Sequence, residues 1–252
     1  MSTELFSLAG RKALVTGART GIGRAIAVGF AAAGADLVLV GHHDDLGEVA
    51  ADAHAHGAAV ERIAVDLQDP RAARIALDPL FTEHDIDVLV NNAGIVHRGP
   101  VTELDQDDWQ RVLDVDLNSV FALSQLAGRR MLARGTGKII NIASLLSFQG
   151  GILVPAYAAA KHAVAGLTKA MANEWAPHGI QVNAIAPGYV VTNNTTALRE
   201  DPDRHAAISD RIPAGRWGDP QDMVGAAVFL ASSASDYVNG HVLVVDGGWM
   251  AR

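Results

Sequence analysis

The chain has 252 residues, 49% of them hydrophobic and 19% charged, which is enough for a folded α/β protein with a sizeable core. Its formal net charge of -8 argues against binding to nucleic acid or to an anionic membrane. It contains no cysteine, which excludes disulfides, thiolate metal sites and cysteine nucleophiles, and we expect no metal site.

The N-terminal stretch MSTELFSLAGRK lacks the basic end and apolar run of a signal peptide. No apolar run in the sequence approaches the roughly 18 residues that a membrane span needs. We therefore expect a soluble protein in the cytoplasm.

Short apolar runs alternate with longer helix-compatible stretches along the whole chain. Strands are predicted at residues 12–16, 36–40, 60–65, 86–90, 137–143, 180–186 and 241–246. Most of these runs are continuously apolar, which is typical of a sheet covered by helices on both faces. Helices are predicted at residues 22–33, 44–56, 71–84, 107–134, 155–176 and 221–231. The alternation predicts an α/β fold: a doubly wound, Rossmann-type parallel sheet of seven strands with helices on both faces.

We find no repeat, linker or change of composition, so we predict one domain over residues 1–252. Residues 189–218 differ from the rest because they are polar and poor in strand signals. A stretch of that length inside a compact domain is usually functional. We therefore predict that residues 189–218 form either a substrate-covering lid or short helices over the site.

The glycine-rich segment TGARTGIGRAIA follows the first predicted strand directly. Because Gly17, Gly21 and Gly23 lack a β-carbon, the backbone there can approach a pyrophosphate. The helix that follows offers free N–H groups and a partial positive charge at its N-terminus. The first βα turn of a doubly wound sheet binds dinucleotides, so this turn is the predicted cofactor site. Its spacing differs from the familiar G-x-G-x-x-G.

The end of the second predicted strand bears on the choice between NAD and NADP. An acidic residue there would bind the ribose 2′-hydroxyl of NAD, whereas a basic residue would favour the 2′-phosphate of NADP. The strand instead ends in Gly41, His42 and His43. Arg19 and the histidines could contact a phosphate, or the histidines could simply be exposed loop residues. The sequence leaves both cofactors open.

Polar residues also follow the third and fourth predicted strands, at the sheet edge where ligands bind in such folds. Asp66 can accept a hydrogen bond from an adenine amino group, unless it caps a helix, a role for which Asp69 competes. The segment NNAG at residues 91–94 lets an adenosine lie against backbone. The alternative for NNAG is an ordinary turn.

Four residues form a candidate reactive set. Tyr157 and Lys161 lie one helical turn apart, and Ser144 closes the fifth predicted strand. A free tyrosine has a pKa of about 10, which a neighbouring ammonium and an oxidised nicotinamide would lower. Ser144 would stabilise the substrate oxygen, and Asn118 could hold a water that relays protons to Lys161. Each residue alone has a simpler structural explanation, but together with the glycine turn they indicate catalysis.

Taken together, the motifs resemble the short-chain dehydrogenase/reductase family. They are TGxxxGIG at residues 16–23, NNAG at 91–94, Asn118, Ser144, YxxxK at 157–161 and PG at 187–188. The resemblance spans nearly the whole chain and implies an NAD(P)-dependent oxidoreductase acting on CH–OH groups. It further implies that Tyr157 is the acid/base, Lys161 its activator, Ser144 the ligand of the substrate oxygen and Asn118 the relay.

The resemblance also implies a homodimer or homotetramer, in which helices 107–134 and 155–176 pack between subunits. The segment from Pro187 to Thr192 resembles the part of the family that holds the nicotinamide carboxamide. The full set of expected cofactor-binding residues is Gly17, Arg19, Thr20, Gly21, Ile22, Gly23, His42, Asp66, Leu67, Asn92, Ala93, Gly94, Tyr157, Lys161, Pro187, Gly188, Val190 and Thr192.

Segments such as KIINIASLLSFQGG, VNAIAPGY and RIPAGRWG are similar to members of the family that act on sugar acids, of the 2-dehydro-3-deoxy-D-gluconate or 2-deoxy-D-gluconate type. A sugar acid needs cations for its carboxylate and polar groups for its hydroxyls. The expected substrate residues are Arg98, Gln149, Asn193, Asn194 and Arg216, with His97 and Trp217 as further candidates. Trp249 and Arg252 could reach the site of a neighbouring subunit or simply pack in an interface.

Two other functions stay open at this point. The first is a 3-oxoacyl or polyol reductase of the same family, which would use the same catalytic residues on another substrate. The second is a protein that senses a dinucleotide without turnover. The complete set of tyrosine, lysine, serine and asparagine argues against the second, because a sensor needs no proton donor.

Overall fold

The computed structural model describes residues 3–252, and residues 1 and 2 of the N-terminal stretch considered above lie outside the described part. One sheet of seven parallel strands runs through the molecule, in the order β3-β2-β1-β4-β5-β6-β7. The predicted doubly wound fold and all seven strands are confirmed. The strands are β1 (Lys12–Thr16), β2 (Asp36–Gly41), β3 (Val60–Ala64), β4 (Val88–Asn91), β5 (Gly137–Ile142), β6 (Ile180–Pro187) and β7 (Val242–Val245).

The α-helices of the described residues are α1 (Gly21–Ala32), α2 (Gly47–His54), α3 (Pro70–Glu83), α4 (Gln106–Leu113), α5 (Ser119–Arg134), α6 (Pro155–Trp175), α7 (Thr196–Glu200), α8 (Pro202–Arg211) and α9 (Val224–Ala231). The prediction of one regular helix over 107–134 is wrong in one respect: a π-helical turn, Asp114–Asn118, separates α4 from α5. Segment 189–218 contains short helices, α7 and α8, as predicted. Between residues 3 and 252 we find no helix with the length and apolar character that crossing a bilayer requires.

Helices cover both faces of the sheet, which explains why its strands are continuously apolar. Successive strand residues point to opposite faces, so Ala13 and Val15 of β1 pack with α1, α2 and α9 while Leu14 packs with α3, α5 and α6. Phe30 and Leu77, one on each side, are fully buried. Burial of each such side chain contributes about 1.5–3 kcal/mol to folding.

The strand order reverses between β1 and β4, and this reversal creates the crevice in which a ligand can bind. The helix after β1 packs on one face and α5, after β4, on the other, which leaves a crevice over the carboxyl ends of both strands. The buried hydroxyl of Thr16 accepts hydrogen bonds from the N–H groups of Asn92 and Ala93, each 3.0 Å long. The Asn92 amide donates to the carbonyl oxygens of Thr16 (2.9 Å) and Gly17 (3.1 Å). The glycine turn and the NNAG segment are therefore held as one unit.

Replacing Thr16 by valine should loosen this unit. Thr16→Val keeps the shape of the side chain but leaves two backbone N–H groups without their acceptor, so we expect the free energy of unfolding to fall by about 1–3 kcal/mol in urea denaturation. Dinucleotide affinity should weaken in the same variant. Thr136→Val is the matched control because that threonine is exposed; its effect should stay within about 0.5 kcal/mol. A Thr16→Val protein of unchanged stability would contradict the anchoring role.

Candidate active site

A cavity of about 460 Å³ lies over the carboxyl ends of β1, β2, β4 and β5. All of the residues expected from the sequence to bind the cofactor line it. They are Gly17, Arg19, Thr20, Gly21, Ile22, Gly23, His42, Asp66, Leu67, Asn92, Ala93, Gly94, Tyr157, Lys161, Pro187, Gly188, Val190 and Thr192. Residues from six separate stretches of the sequence thus meet at one edge of the sheet.

The glycine turn has the geometry that a pyrophosphate requires. Gly17 has a φ of +64°, and a β-carbon on it would lie 2.9 Å from the Cα of Ala93. A β-carbon on Gly23 would lie 2.3 Å from the carbonyl oxygen of Gly17. At the start of α1, the Thr20 side chain makes no capping hydrogen bond and the first turn holds no acidic residue. The helix therefore presents free N–H groups and an unneutralised positive end to the cavity, which fits a dinucleotide.

The far end of this cavity lies beside β2 and β3. Asp69 caps α3 by accepting hydrogen bonds from the N–H groups of Arg71 and Ala72. Asp66 is therefore not the residue that caps this helix. Asp66 lines the cavity, and its carboxylate lies 3.4 Å from Nδ1 of His42. An adenine amino group or a ribose phosphate could contact this pair.

Tyr157 and Lys161 lie one turn apart on α6, as the sequence predicts. The Lys161 Nζ lies 5.3 Å from the centroid of the Tyr157 ring and donates a 3.0 Å hydrogen bond to the carbonyl oxygen of Ile142. Burial raises the pKa of Tyr157, while the Lys161 ammonium and hydrogen bonding to Ser144 lower it. Burial also disfavours the Lys161 charge, but the nearby Asp116 and Tyr157 outweigh it and the pKa of Lys161 is raised. Lys161 is therefore a fixed positive charge beside the phenol.

The structure does not place Asn118 in this set, which corrects the prediction. Its side chain is exposed and donates to Asp114, 2.6 Å away on the same π-helical turn. The residue that contacts Lys161 is Asp116, whose Oδ2 lies 3.2 Å from Nζ. The buried face of the helix runs through Val112, Asp116 and Val120, and Asn118 falls on the opposite side. An acid on that apolar stripe was the signal that could have identified Asp116.

A second cavity, of about 400 Å³, adjoins the first. Ser144 and Tyr157 line both cavities and so mark their common border. Of the expected substrate residues, Arg98, Gln149 and Asn194 line the second cavity, together with Trp249. Asn193 lines the first cavity and not the second.

Arg216 lies away from both cavities, which corrects its prediction as a substrate residue. Its guanidinium is exposed and bonds both carboxylate oxygens of Asp222, at 2.6 and 2.9 Å. That pairing lowers the pKa of Asp222 to about 2. Among the further possibilities, His97 pairs with Asp108, Trp217 stacks on His205 and Arg252 donates to a backbone carbonyl on α8. None of the three lines either cavity.

Two arginines that sequence reasoning missed line the second cavity. Arg204 and Arg211 both belong to α8, and their spacing of two turns in DRHAAISDR was the available signal. Arg211 lies over the Trp249 ring, 4.0 Å from its centroid. Burial lowers the pKa of Arg98, and the charge of Arg204 lowers it further. No acidic side chain within residues 3–252 pairs with Arg98, Arg204 or Arg211. The second cavity therefore carries positive charge that is suited to binding an anion.

Comparison with known proteins decides the family. A family model described as enoyl-(acyl carrier protein) reductase matches residues 17–250. The 2-dehydro-3-deoxy-D-gluconate 5-dehydrogenase of Bacillus subtilis (strain 168) is 58% identical over 249 residues, covering 99% of this chain and 98% of the relative. The chain belongs to the short-chain dehydrogenase/reductase family.

Solved structures of this short-chain dehydrogenase/reductase family agree. A crystal structure from Beutenbergia cavernae with NADP bound at low occupancy is 55% identical, with a TM-score of 0.97, over 98% of this chain and 100% of that one. A gluconate 5-dehydrogenase from Burkholderia cenocepacia J2315, in complex with NADP and tartrate, is 42% identical, with a TM-score of 0.94, over 99% of this chain and 98% of that one.

This short-chain dehydrogenase/reductase is an NAD(P)-dependent oxidoreductase. When bound, the nicotinamide supplies or accepts the hydride. The chain's own groups at the border of the two cavities can handle the accompanying proton. The Tyr157 hydroxyl can donate it to a ketone oxygen or accept it from an alcohol, and the Lys161 charge stabilises the phenolate that results. The Ser144 hydroxyl can hold the substrate oxygen.

Replacing Tyr157 by phenylalanine should separate catalysis from binding. Tyr157→Phe removes the proton donor while keeping the ring, so kcat should fall by about a hundredfold to ten-thousandfold. The dinucleotide affinity, measured by fluorescence titration, should stay close to that of the wild type. Tyr237→Phe is the matched control, because Tyr237 is fully exposed. A near-normal kcat in Tyr157→Phe would show that the tyrosine serves only in packing.

Proposed function

We propose that this oxidoreductase interconverts a secondary alcohol and a ketone of a sugar acid, of the 2-dehydro-3-deoxy-D-gluconate or 2-deoxy-D-gluconate type. The observation that carries the proposal is the group of Arg98, Arg204 and Arg211 in the cavity bordered by Ser144 and Tyr157. These arginines have no acidic partner in the described structure, in a chain whose net charge is -8. A carboxylate is the complementary group for such a cluster.

The second cavity offers a sugar acid a suitable contact at each end. The arginines would bind the carboxylate, and the side chains of Gln149 and Asn194 would hydrogen-bond the hydroxyl groups. The reacting carbon would then lie near Ser144 and Tyr157. In the reductive direction the Tyr157 proton passes to the ketone oxygen as the carbon gains the hydride, and in the oxidative direction both transfers reverse.

Residues 189–218 would act in this scheme as the lid over the substrate. Arg204 and Arg211 reach the second cavity from α8, which belongs to this segment, whereas Arg98 follows β4. A bound carboxylate would therefore connect the segment to the body of the sheet. The presence of Arg204 and Arg211 in the second cavity supports the interpretation of residues 189–218 as a lid, which their polarity and length suggest in the sequence.

An activity panel tests the proposal directly. Purified protein with NADP or NAD should turn over sugar acids, observed through the absorbance of the reduced cofactor, while 3-oxoacyl thioesters and neutral polyols should react far more slowly. Preference for a 3-oxoacyl thioester or a polyol would overturn the sugar-acid assignment. Tight dinucleotide binding without turnover of any alcohol or ketone would instead indicate a sensor.

The arginine cluster predicts a specific kinetic defect. In Arg204→Gln the loss of one charge-assisted hydrogen bond should raise KM for the sugar acid by about tenfold to a hundredfold. KM for a neutral polyol substrate should change little. Arg216→Gln is the matched control, because that arginine is exposed and paired with Asp222. Equal KM values in wild type and Arg204→Gln would show that Arg204 does not bind the carboxylate.

We further propose that the protein prefers NADP to NAD. Gly41 ends β2, and a β-carbon on it would lie 3.1 Å from both the carbonyl oxygen of His43 and Cδ2 of Leu46, so an acidic side chain has little room there. Arg19 and His42, both half exposed, line the cavity and could reach a 2′-phosphate. Three of the similar solved structures hold NADP, which supports this preference.

Substitution of Arg19 measures its part in the cofactor preference. Arg19→Ala should lower kcat/KM for NADP by about tenfold or more while leaving that for NAD nearly unchanged, because only NADP carries the 2′-phosphate. Asp45→Asn is the companion variant: Asp45 pairs with Arg19 at 3.3 Å, so its neutralisation should leave NADP use equal or improved. Equal losses for NAD and NADP in Arg19→Ala would contradict the phosphate contact.

Self-association as a homodimer or homotetramer and location in the cytoplasm stay predictions. The exposed aromatic ring of Phe121, on α5, supports an interface at the helices expected to pack between subunits.

A further inference from the structure

We propose that His42 makes the preference for NADP depend on pH: only the protonated imidazole binds the 2′-phosphate, because Asp66 fixes which ring nitrogen carries the hydrogen in the neutral form. The inference rests on the proposed preference for NADP and adds how that preference is regulated. It concerns two side chains that line the cofactor cavity, just beyond the carboxyl ends of β2 and β3.

The Asp66 carboxylate is held in place beside the His42 ring. Its Oδ1 accepts a 2.9 Å hydrogen bond from the N–H of Gln68, and the same oxygen lies 3.4 Å from Nδ1 of His42. The side chains of His42 and Asp66 are 51% and 53% exposed, so a ligand in the cavity can reach both. Within residues 3–252 no hydrogen bond or ion pair engages Nε2 of His42, which leaves this nitrogen available to a ligand.

The position of Asp66 decides what a neutral His42 ring can offer to a phosphate. A carboxylate only accepts hydrogen bonds, so the neutral ring keeps its one hydrogen on Nδ1, toward Asp66. Nε2 is then an acceptor, and the acceptor oxygens of a phosphate dianion gain no hydrogen bond from it. Protonation places a second hydrogen on Nε2 and adds a positive charge, which together allow a charge-assisted hydrogen bond to the phosphate. His42 thus binds the 2′-phosphate in one protonation state only.

The other charged and titratable groups around His42 do not replace this role. They are His43, Asp44 and Asp45 of the β2–α2 connection and Arg19 of the glycine turn. The ring of His43 lies against that of His42, with 4.2 Å between the centroids, but His43 does not line the cavity. Arg19 stays charged at neutral and mildly alkaline pH, although Asp45, 3.3 Å away, compensates part of its charge. The preference for NADP should therefore weaken, rather than vanish, as pH rises through the range of about 5 to 8 in which histidine loses its charge.

The test measures the dissociation constant of NAD divided by that of NADP, from fluorescence titrations between about pH 6.5 and pH 8.5. Groups that act on both dinucleotides cancel in this ratio, and the 2′-phosphate is mostly a dianion above about pH 6. From the low to the high pH the wild-type ratio should fall by about threefold to tenfold. His42→Gln carries an amide that donates at any pH, so its ratio should not change. His43→Gln is the matched control and should keep the wild-type dependence, because His43 lies outside the cavity.

Substitution of Asp66 tests its effect on the ring. In Asp66→Asn the amide can donate to Nδ1 as well as accept from it, so a neutral His42 can place its hydrogen on Nε2. The ratio should then fall less between the two pH values than it does in the wild type, while any lost contact with adenine cancels. A wild-type ratio that is constant with pH, or a dependence that persists in His42→Gln, would overturn the inference. A ratio below one at every pH would instead refute the proposed preference for NADP, and its change with pH would still decide the role of His42.

Discussion

The hydroxyl of Thr16 joins the ends of two strands that come from distant parts of the chain, and the binding site is built around that connection. By accepting from Asn92 and Ala93 it holds the glycine turn against the NNAG segment, and the reversal of strand order sends the following helices to opposite faces. The crevice between them is the cofactor cavity. Beyond it, Ser144 and Tyr157 mark the border with the second cavity, so the expected reacting groups lie where the two cavities meet.

Charge is distributed unevenly in this acidic chain. The buried pair of Asp116 and Lys161 carries opposite charges in the interior, where the cost of desolvating both groups offsets much of their attraction. The arginines of the second cavity form a different kind of group, because like charges face each other there without acidic partners. Neither arrangement is explained by folding alone, and both lie beside Tyr157. Their cost in stability is thus linked to the chemistry of the site.

Much of the fold and of the cofactor cavity could be predicted from the sequence, because local signals specify them. Continuously apolar runs identify buried parallel strands, and Gly17 and Gly23 stand where a β-carbon would collide with neighbouring atoms. The carboxyl ends of the strands then bring the remaining polar residues together, so their approximate location follows from topology. Tyr157 and Lys161 follow from helical spacing in the same way.

The sequence was less informative where long-range packing decides which way a side chain points. Asn118 and Asp116 are two residues apart, and the π-helical turn that orients Asp116 inward has no strong local signature. Arg216 was as plausible a cation as Arg204, but Asp222 pairs with Arg216 and leaves Arg204 as one of the cavity's cations. Such distinctions depend on the neighbours that tertiary structure supplies.

The crowding around Gly41 has a consequence for protein engineering. Redesign of a coenzyme site toward NAD commonly begins with a carboxylate placed at the end of the second strand. In this chain the new side chain would press on the carbonyl oxygen of His43 and on the buried Leu46, which anchors the start of α2 in the core. The new side chain would therefore need these neighbours to move by a few tenths of an ångström, which a smaller residue at position 46 would ease. The proposed preference for NADP thus rests on loop packing as well as on charge.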